Sequence, residues 1–475
     1  MFIGRERELD RLEKMYRSDK FECAIIYGRR RVGKTTLINE FSKGKKTIFY
    51  VGLESNVNAN LEGFSKAIFS YTMPEATIYP IFKSFDESFE YIATTIKDER
   101  LILVIDEYPY IAGSDKSLSS VLQKHIDYTF KNTKLFIILC GSSMSFMEYQ
   151  VLGYKSPLYG RRTAQFKILP FTYYESAGFN PHYKNEDNAM VYGMTGGVPL
   201  YIEKVSSNTS IEQNIKDNFL DKNSFLFEEP SNLLKQELRE PQTYNAIITA
   251  VANGASRLNE IATKTGLETG VCSKYLSVLI SLGIIKKDSP VTEKSAKKTI
   301  YLIGDKLFNF WYRFVPGNMA SIMSGRIESA YNKGIKPYLS EYMGRVFEDM
   351  CKDYLLFWCK DLPIDIGAIG QWWGNDPVEK RQVQIDIVVA SSDGKSAIFG
   401  ECRYKNDLMD NSVLDELIYE SKLIGGLEDR YYYLFSKTGF TDRLKARAVE
   451  NGVKLVVLDD LYNPQTRGQG LVWSE

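Results

Sequence analysis

Eight consecutive residues, Gly28-Arg29-Arg30-Arg31-Val32-Gly33-Lys34-Thr35, match the pattern G-x-x-x-x-G-K-[ST] in full. Glycines at these places let backbone N–H groups converge on phosphate oxygens. Lys34 is placed to reach the β- and γ-phosphates of a nucleotide, and the Thr35 hydroxyl to ligate Mg²⁺. Residues Gly28 through Thr36 are therefore the candidate nucleotide-binding residues. A second pair, Asp106-Glu107, closes the apolar run Leu101–Ile105. Asp106 would hold Mg²⁺, directly or through water, and Glu107 would orient and polarise the attacking water. A third apolar run, Leu135–Cys140, ends at Gly141-Ser142-Ser143. A polar residue there can sense a γ-phosphate or simply cap the next helix; Ser142 and Ser143 are both open to the role. Leu158-Tyr159-Gly160-Arg161-Arg162 offers paired arginines. Arg161 could pair with the γ-phosphate of its own or a neighbouring subunit, which would imply a homo-oligomer, or lie solvated on the surface.

A different chemistry stands near the C-terminus. Residues 383–389 and 397–403 read as strands, with Ser391-Ser392-Asp393-Gly394-Lys395 between them. Asp-Gly between strands signals a two-residue hairpin. A turn centred there pairs Ser392 with Lys395 and puts Asp386 opposite Glu401. Directly opposed carboxylates repel unless a divalent cation lies between them. Alternation places Glu401, Arg403 and Lys405 on that same face.

These groups need elements to carry them. Ala24–Tyr27 is a short strand running into the glycine loop, and Thr36–Phe41 reads as the helix leaving it. Beyond Pro230 and Pro241 the pattern changes to short helices: Tyr244–Ala252, Leu258–Thr265 and Gly270–Ile280. Ile284–Lys287 and Thr299–Leu302 then read as a hairpin. Helix, turn, helix and hairpin resemble a winged helix-turn-helix. From Arg257 to Lys306 there are nine Lys and Arg against five acids. Such an excess supports phosphate contacts with double-stranded DNA or, alternatively, a solvated packing module. Ser273, Lys274 and Ser277 would face the groove.

The motifs resemble those of the archaeal-type ATPase family, a STAND branch related to AAA+ proteins. The matching segments are Phe2-Ile3-Gly4-Arg5-Glu6, Asp106-Glu107-Tyr108-Pro109-Tyr110, Gly141–Met147, Gly160-Arg161 and Gly196-Gly197-Val198-Pro199. The resemblance implies that the N-terminal box lies near the adenine and that the Gly-Gly-x-Pro turn belongs to a helical lid. Arg5 and Pro199 become pocket candidates on that ground. The C-terminal strands resemble the core of the PD-(D/E)XK nucleases, and this implies Glu348, on a preceding helix, as a further metal ligand beside Asp386 and Glu401. One departure is Arg403 in the lysine position, since arginine does not readily act as a base; Lys405 is the substitute two residues on.

Composition is that of an ordinary globular protein: 475 residues, 44% hydrophobic, 25% charged. Lys+Arg and Asp+Glu are both 60, so any basic patch is local. Six scattered cysteines, with only His125 and His182 beside them, argue against zinc and for reduced thiols in the cytoplasm. The charged N-terminus is no signal peptide, and no apolar run approaches the ~18 residues of a membrane span. The expected fold is α/β. A P-loop parallel-sheet ATPase core (1–165) leads to a helical lid (166–235), a winged helix (236–310) and a restriction-endonuclease-like α/β domain (320–475). The expected function is ATP hydrolysis driving a conformational switch, coupled to DNA binding and metal-dependent cleavage. The alternative is a signalling or scaffold switch with an inert C-terminal domain.

Overall fold

The structure, a computed structural model, describes residues 2–95, 99–291 and 298–463. It divides into two compact units. The first comprises Met1–Pro170 and the short insert Val198–Leu200; the second comprises Phe171–Gly197 and Tyr201 onward. The stretch expected as a lid, 166–235, is thus shared between them. Phe171–Gly197 joins the second unit through specific bonds. Tyr342 OH donates to Gly193 O (2.6 Å) and Tyr173 OH to Leu461 O (3.0 Å).

The first unit is built on five strands: β1 (Glu22–Tyr27), β2 (Thr47–Val51), β3 (Ile102–Asp106), β4 (Phe136–Gly141) and β5 (Ala164–Lys167). They pair in the order β2-β3-β4-β1-β5, all parallel. The apolar runs are continuous because both faces are covered. Ile25, Leu103, Ile137 and Leu139 pack on one side, and Ala24, Ile26, Val104 and Ile138 on the other. β1, β3 and β4 are buried along their whole length, so their polar C-terminal ends are the first places where chemistry can surface.

In the second unit, helices Pro241–Ala252, Leu258–Thr265 and Thr269–Ser281 precede an antiparallel pair, β6 (Ile285–Asp288) and β7 (Ile300–Ile303). Lys294 and Lys297, two of the counted cations, lie outside the described residues. A mixed sheet follows: β8 (Ile366–Asp376), β9 (Arg381–Ser391), β10 (Ser396–Arg403), β11 (Asp429–Ser436) and β12 (Lys454–Val457). Its order is β12-β11-β10-β9-β8, antiparallel from β8 to β10 and parallel from β10 to β12. The Leu339–Phe357 helix precedes this sheet.

Candidate functional site

β1 delivers the chain to the glycine loop, and the Lys34–Ser42 helix takes it away. Gly28 has no room for a side chain: a Cβ there would lie 2.3 Å from Ile168 O. Arg31 and Gly33 have φ of 73° and 86°, the left-handed turns that direct successive amides into one concavity. Val32 is buried beneath. Arg5, itself at φ 65°, braces the loop: its Nη2 donates to Val32 O (3.3 Å) and Leu169 O (2.5 Å). Arg30 Nη2 donates to Tyr110 OH (2.8 Å). Pro199 completes the wall, its Cγ 3.7 Å from the place a Gly33 Cβ would take.

The chemistry-bearing groups of this unit meet at the ends of β1, β3 and β4. Lys34 is buried, its Nζ donating to Gly28 O (3.0 Å) and Arg29 O (2.9 Å). Thr35 Oγ1 donates to Asp106 Oδ2 (2.7 Å), and the Glu107 amide donates to Asp106 Oδ1 (2.9 Å). Glu107 sits at φ 48°, ψ 44°, a conformation costing about 1–3 kcal/mol that surrounding structure must hold. Gly52 allows it, since a Cβ there would meet Glu107 O at 2.7 Å. Ser142 Oγ donates to Glu107 Oε2 (2.9 Å). Of the two serines, Ser142 is thus the one touching the acid, while Ser143 begins the next turn. Thr36 is exposed on the first turn of the helix. The donor set suits its expected ligands: a buried ammonium and loop amides for phosphate, and hydroxyl and carboxylate oxygens for a hard cation.

Arg161 is a correction. β5 lies beside β1 in parallel, Ala164 level with Ala24, and Thr163 N donates to Cys23 O. Arg161 therefore stands at the start of β1, about 20 Å of strand away from the loop at its end. Its fork is held by Asp127 (2.8 and 2.7 Å) and by the carbonyls of Pro157 and Tyr159. Pairing with its own subunit's γ-phosphate is excluded by this placement.

The C-terminal carboxylates present a second arrangement. The register runs from Ala397 opposite Ala390 to Gly400 opposite Ile387, as the Asp393-Gly394 turn predicts, and continues to bring Asp386 level with Glu401. Burial, then the facing Asp386, hold the Glu401 carboxyl well above the usual range. Burial also raises the Asp386 carboxyl, and burial plus Asp386 raise that of Glu348 to about 7. Each acid nonetheless has a separate partner. Asp386 Oδ2 accepts from the Cys402 amide (3.1 Å), Glu348 Oε2 from Gln371 Nε2 (2.6 Å), and Glu401 Oε1 lies 3.7 Å from Arg403 Nε. Among the described residues no three acidic, histidine or cysteine side chains converge as a metal-ligand set. Glu348 and Glu401 both feel the charge of Asp386, so the three expected carboxylates are neighbours whose side chains turn to separate partners. Lys405 is corrected too. β10 ends at Arg403, Tyr404 is buried against Phe347, and Lys405 lies exposed in the bend beyond. Gln371 carries no motif of its own in the sequence and reaches Glu348 only because β8 pairs with β9. Lys352, whose charge lowers both Glu348 and Asp386, follows Glu348 by four residues, a helical spacing that could have revealed it. Of the counted cations, Lys286 and Lys306 bind Asp349 (3.3 and 2.9 Å) rather than facing outward together.

Comparison with known proteins places these motifs in company. Residues 2–205 match a family described as an ATPase domain predominantly from Archaea. Residues 311–415 match a family of archaeal and bacterial proteins of unknown function. An uncharacterized protein of Methanocaldococcus jannaschii is 34% identical over 465 residues, covering 95% of this chain and 98% of its own. An uncharacterized ATP-binding protein of the same organism is 50% identical over 46 residues, 10% of this chain and 78% of that one. The fold resembles that of a Walker-type ATPase of Pyrococcus abyssi, with a TM-score of 0.50 and 18% identity over 66% of this chain and 96% of that one. No helix among the described residues is long and apolar enough to cross a membrane.

Proposed function

We propose, for a chain that belongs to the archaeal-type ATPase family, that it hydrolyses ATP and uses the cycle as a conformational switch. The observation that carries this reading is the junction of Thr35 with Asp106 and of Glu107 with Ser142 at the mouth of the Gly28–Thr35 loop. Lys34 and the loop amides bind the β- and γ-phosphates. Thr35 and Asp106 hold Mg²⁺, which supplies charge neutralisation at the phosphate oxygens. Glu107, fixed by Ser142, orients the water whose oxygen bonds to the γ-phosphorus as the bond to the β–γ bridging oxygen breaks. Arg5 keeps the loop in register, and Pro199 beside Gly33 feels its state. The chain on either side of Val198–Leu200 belongs to the second unit, so loop movement has a covalent route outward. A full two-state shift needs about 5.5 kcal/mol of differential binding.

The test is direct. Lys34→Ala should abolish ATP binding or turnover, and Glu107→Gln should retain bound ATP without hydrolysing it. Unchanged hydrolysis in both variants would sink the assignment. Arg161 acts, if on any nucleotide, on that of a neighbouring subunit; loss of turnover in Arg161→Ala that depends on protein concentration is the expected sign.

The second unit is the receiver. Its three helices and hairpin are read as a winged helix contacting double-stranded DNA, and its mixed sheet as a nuclease-like fold. The separate commitments of Asp386, Glu401 and Glu348 support an inert domain in a signalling or scaffold switch over metal-dependent cleavage. Plasmid nicking with Mg²⁺ or Mn²⁺ that vanishes in Asp386→Ala would reverse that preference.

A further inference from the structure

We propose that the strap between β4 and β5 is a binding platform for single-stranded nucleic acid, separate from the duplex contact assigned to the second unit. Between Met147 and Arg162 the chain forms no strand: a π-helical turn over Met147–Val151 leads into successive bends and turns. Three tyrosines stand out from it: Tyr149 is 76% exposed, Tyr154 75% and Tyr159 50%. Tyr128, 76% exposed, adjoins Asp127, the residue that grips Arg161 of the strap. Water-exposed rings at this density need a reason, because tyrosine is ordinarily at least half covered.

The strap beneath them is fastened down. Val151 and Leu158 are buried in the core, the Leu158 amide donates to Ser156 Oγ (3.0 Å), and Arg161 is held bidentately by Asp127. The rings therefore stand on a rigid base, which lowers the ordering cost of stacking on them.

Charge selects the occupant. Two cations sit over the rings, Lys155 Nζ 5.6 Å from the Tyr154 centroid and the Arg162 guanidinium 5.9 Å from that of Tyr159. The other charges of the strap are balanced, Glu148 by Lys167 of β5 (2.9 Å) and Arg161 by Asp127. Among the described residues Lys155 and Arg162 have no carboxylate within ion-pair distance. Exposed rings suit bases, and the two cations beside them suit phosphates. Each stacked base contributes about 1–3 kcal/mol whatever its identity, and each phosphate contact makes binding salt-sensitive. A duplex buries its base faces, so proud rings favour a single strand.

The experiment titrates fluorescent oligothymidylate of about 20 nucleotides into the full chain, with an unlabelled duplex as competitor. The Tyr149→Ala, Tyr154→Ala, Tyr159→Ala triple variant should bind at least about 100-fold more weakly, from stacking of ~1–3 kcal/mol at each of the three rings. The corresponding Phe triple should bind as the parent does, and ATP turnover should be unchanged in both. Lys155→Glu with Arg162→Glu should weaken binding and flatten its salt dependence by about two phosphate contacts. Photo-crosslinking through 5-bromodeoxyuridine should map to residues 149–159. An alanine triple that binds as tightly as the parent, or crosslinks confined to the second unit, would overturn the proposal. So would a parent chain that ignores oligothymidylate while the alanine triple only loses self-association, which would make the strap an interface between copies of this chain.

Discussion

Ser142 and Glu107 show how much rests on one bond of 2.9 Å. Glu107 already has a costly backbone conformation, so without the serine its carboxylate has fewer constraints on where it points. Ser142→Ala should lower kcat for ATP about tenfold and leave KM nearly unchanged, because an orienting hydrogen bond is worth about 1–1.5 kcal/mol; Ser142→Thr should restore it. Steady-state ATPase kinetics decide the matter. The carboxylates of β9 and β10 make a prediction of the opposite kind. Burial and Asp386 raise the Glu401 carboxyl, so the folded state holds that proton more tightly than the unfolded state. The contribution to stability is complete below about pH 4 and fades as pH climbs through the raised value. Glu401→Gln, which cannot ionise, should therefore melt about 2–4 °C above the parent at pH 8 and equal it at pH 4. Calorimetry across that range is the check, and a variant destabilised at pH 8 would contradict it.

At the scale of elements, the Leu339–Phe357 helix is tied to its neighbours by one residue. Burial disfavours the charge of Asp349, but Lys306 and Lys286 outweigh it and hold its carboxyl far below the usual range. Lys306 is almost wholly enclosed, so removing its partner strands a buried ammonium. Asp349→Ala should cost about 3 kcal/mol, seen as a lower denaturant midpoint; an unchanged midpoint would mean that Lys306 finds water. This clamp was invisible in the sequence, where Lys286 and Lys306 looked like part of a basic surface. The legible parts were local. The glycine loop between strand and helix, the acid pair after β3 and the serines after β4 are each set by a few adjacent residues, and the Asp393-Gly394 turn fixed a whole register. What escaped depends on which strand lies beside which. β5 alongside β1 sends Arg161 to the far end of the sheet, β8 brings Gln371 to Glu348, and buried Tyr404 ends β10 before Lys405 can join the face.

At the scale of the molecule, the division into two units is crossed by the chain three times, because Val198–Leu200 returns to the first unit between two stretches of the second. Pro199 is part of the wall beside Gly33, yet it is encoded well after the strands of that unit. A fragment of residues 1–170 keeps every motif of the nucleotide loop and lacks this wall. It should bind ATP about tenfold more weakly than the full chain, in line with the loss of one well-packed apolar side chain at about 1.5 kcal/mol; equilibrium titration compares the two. The same three-residue return limits how such a protein can be rearranged. A second unit exchanged at a single junction would leave the Gly28–Thr35 loop with a borrowed or missing wall. An exchange must therefore respect all three crossings and keep Val198–Leu200 with the first unit.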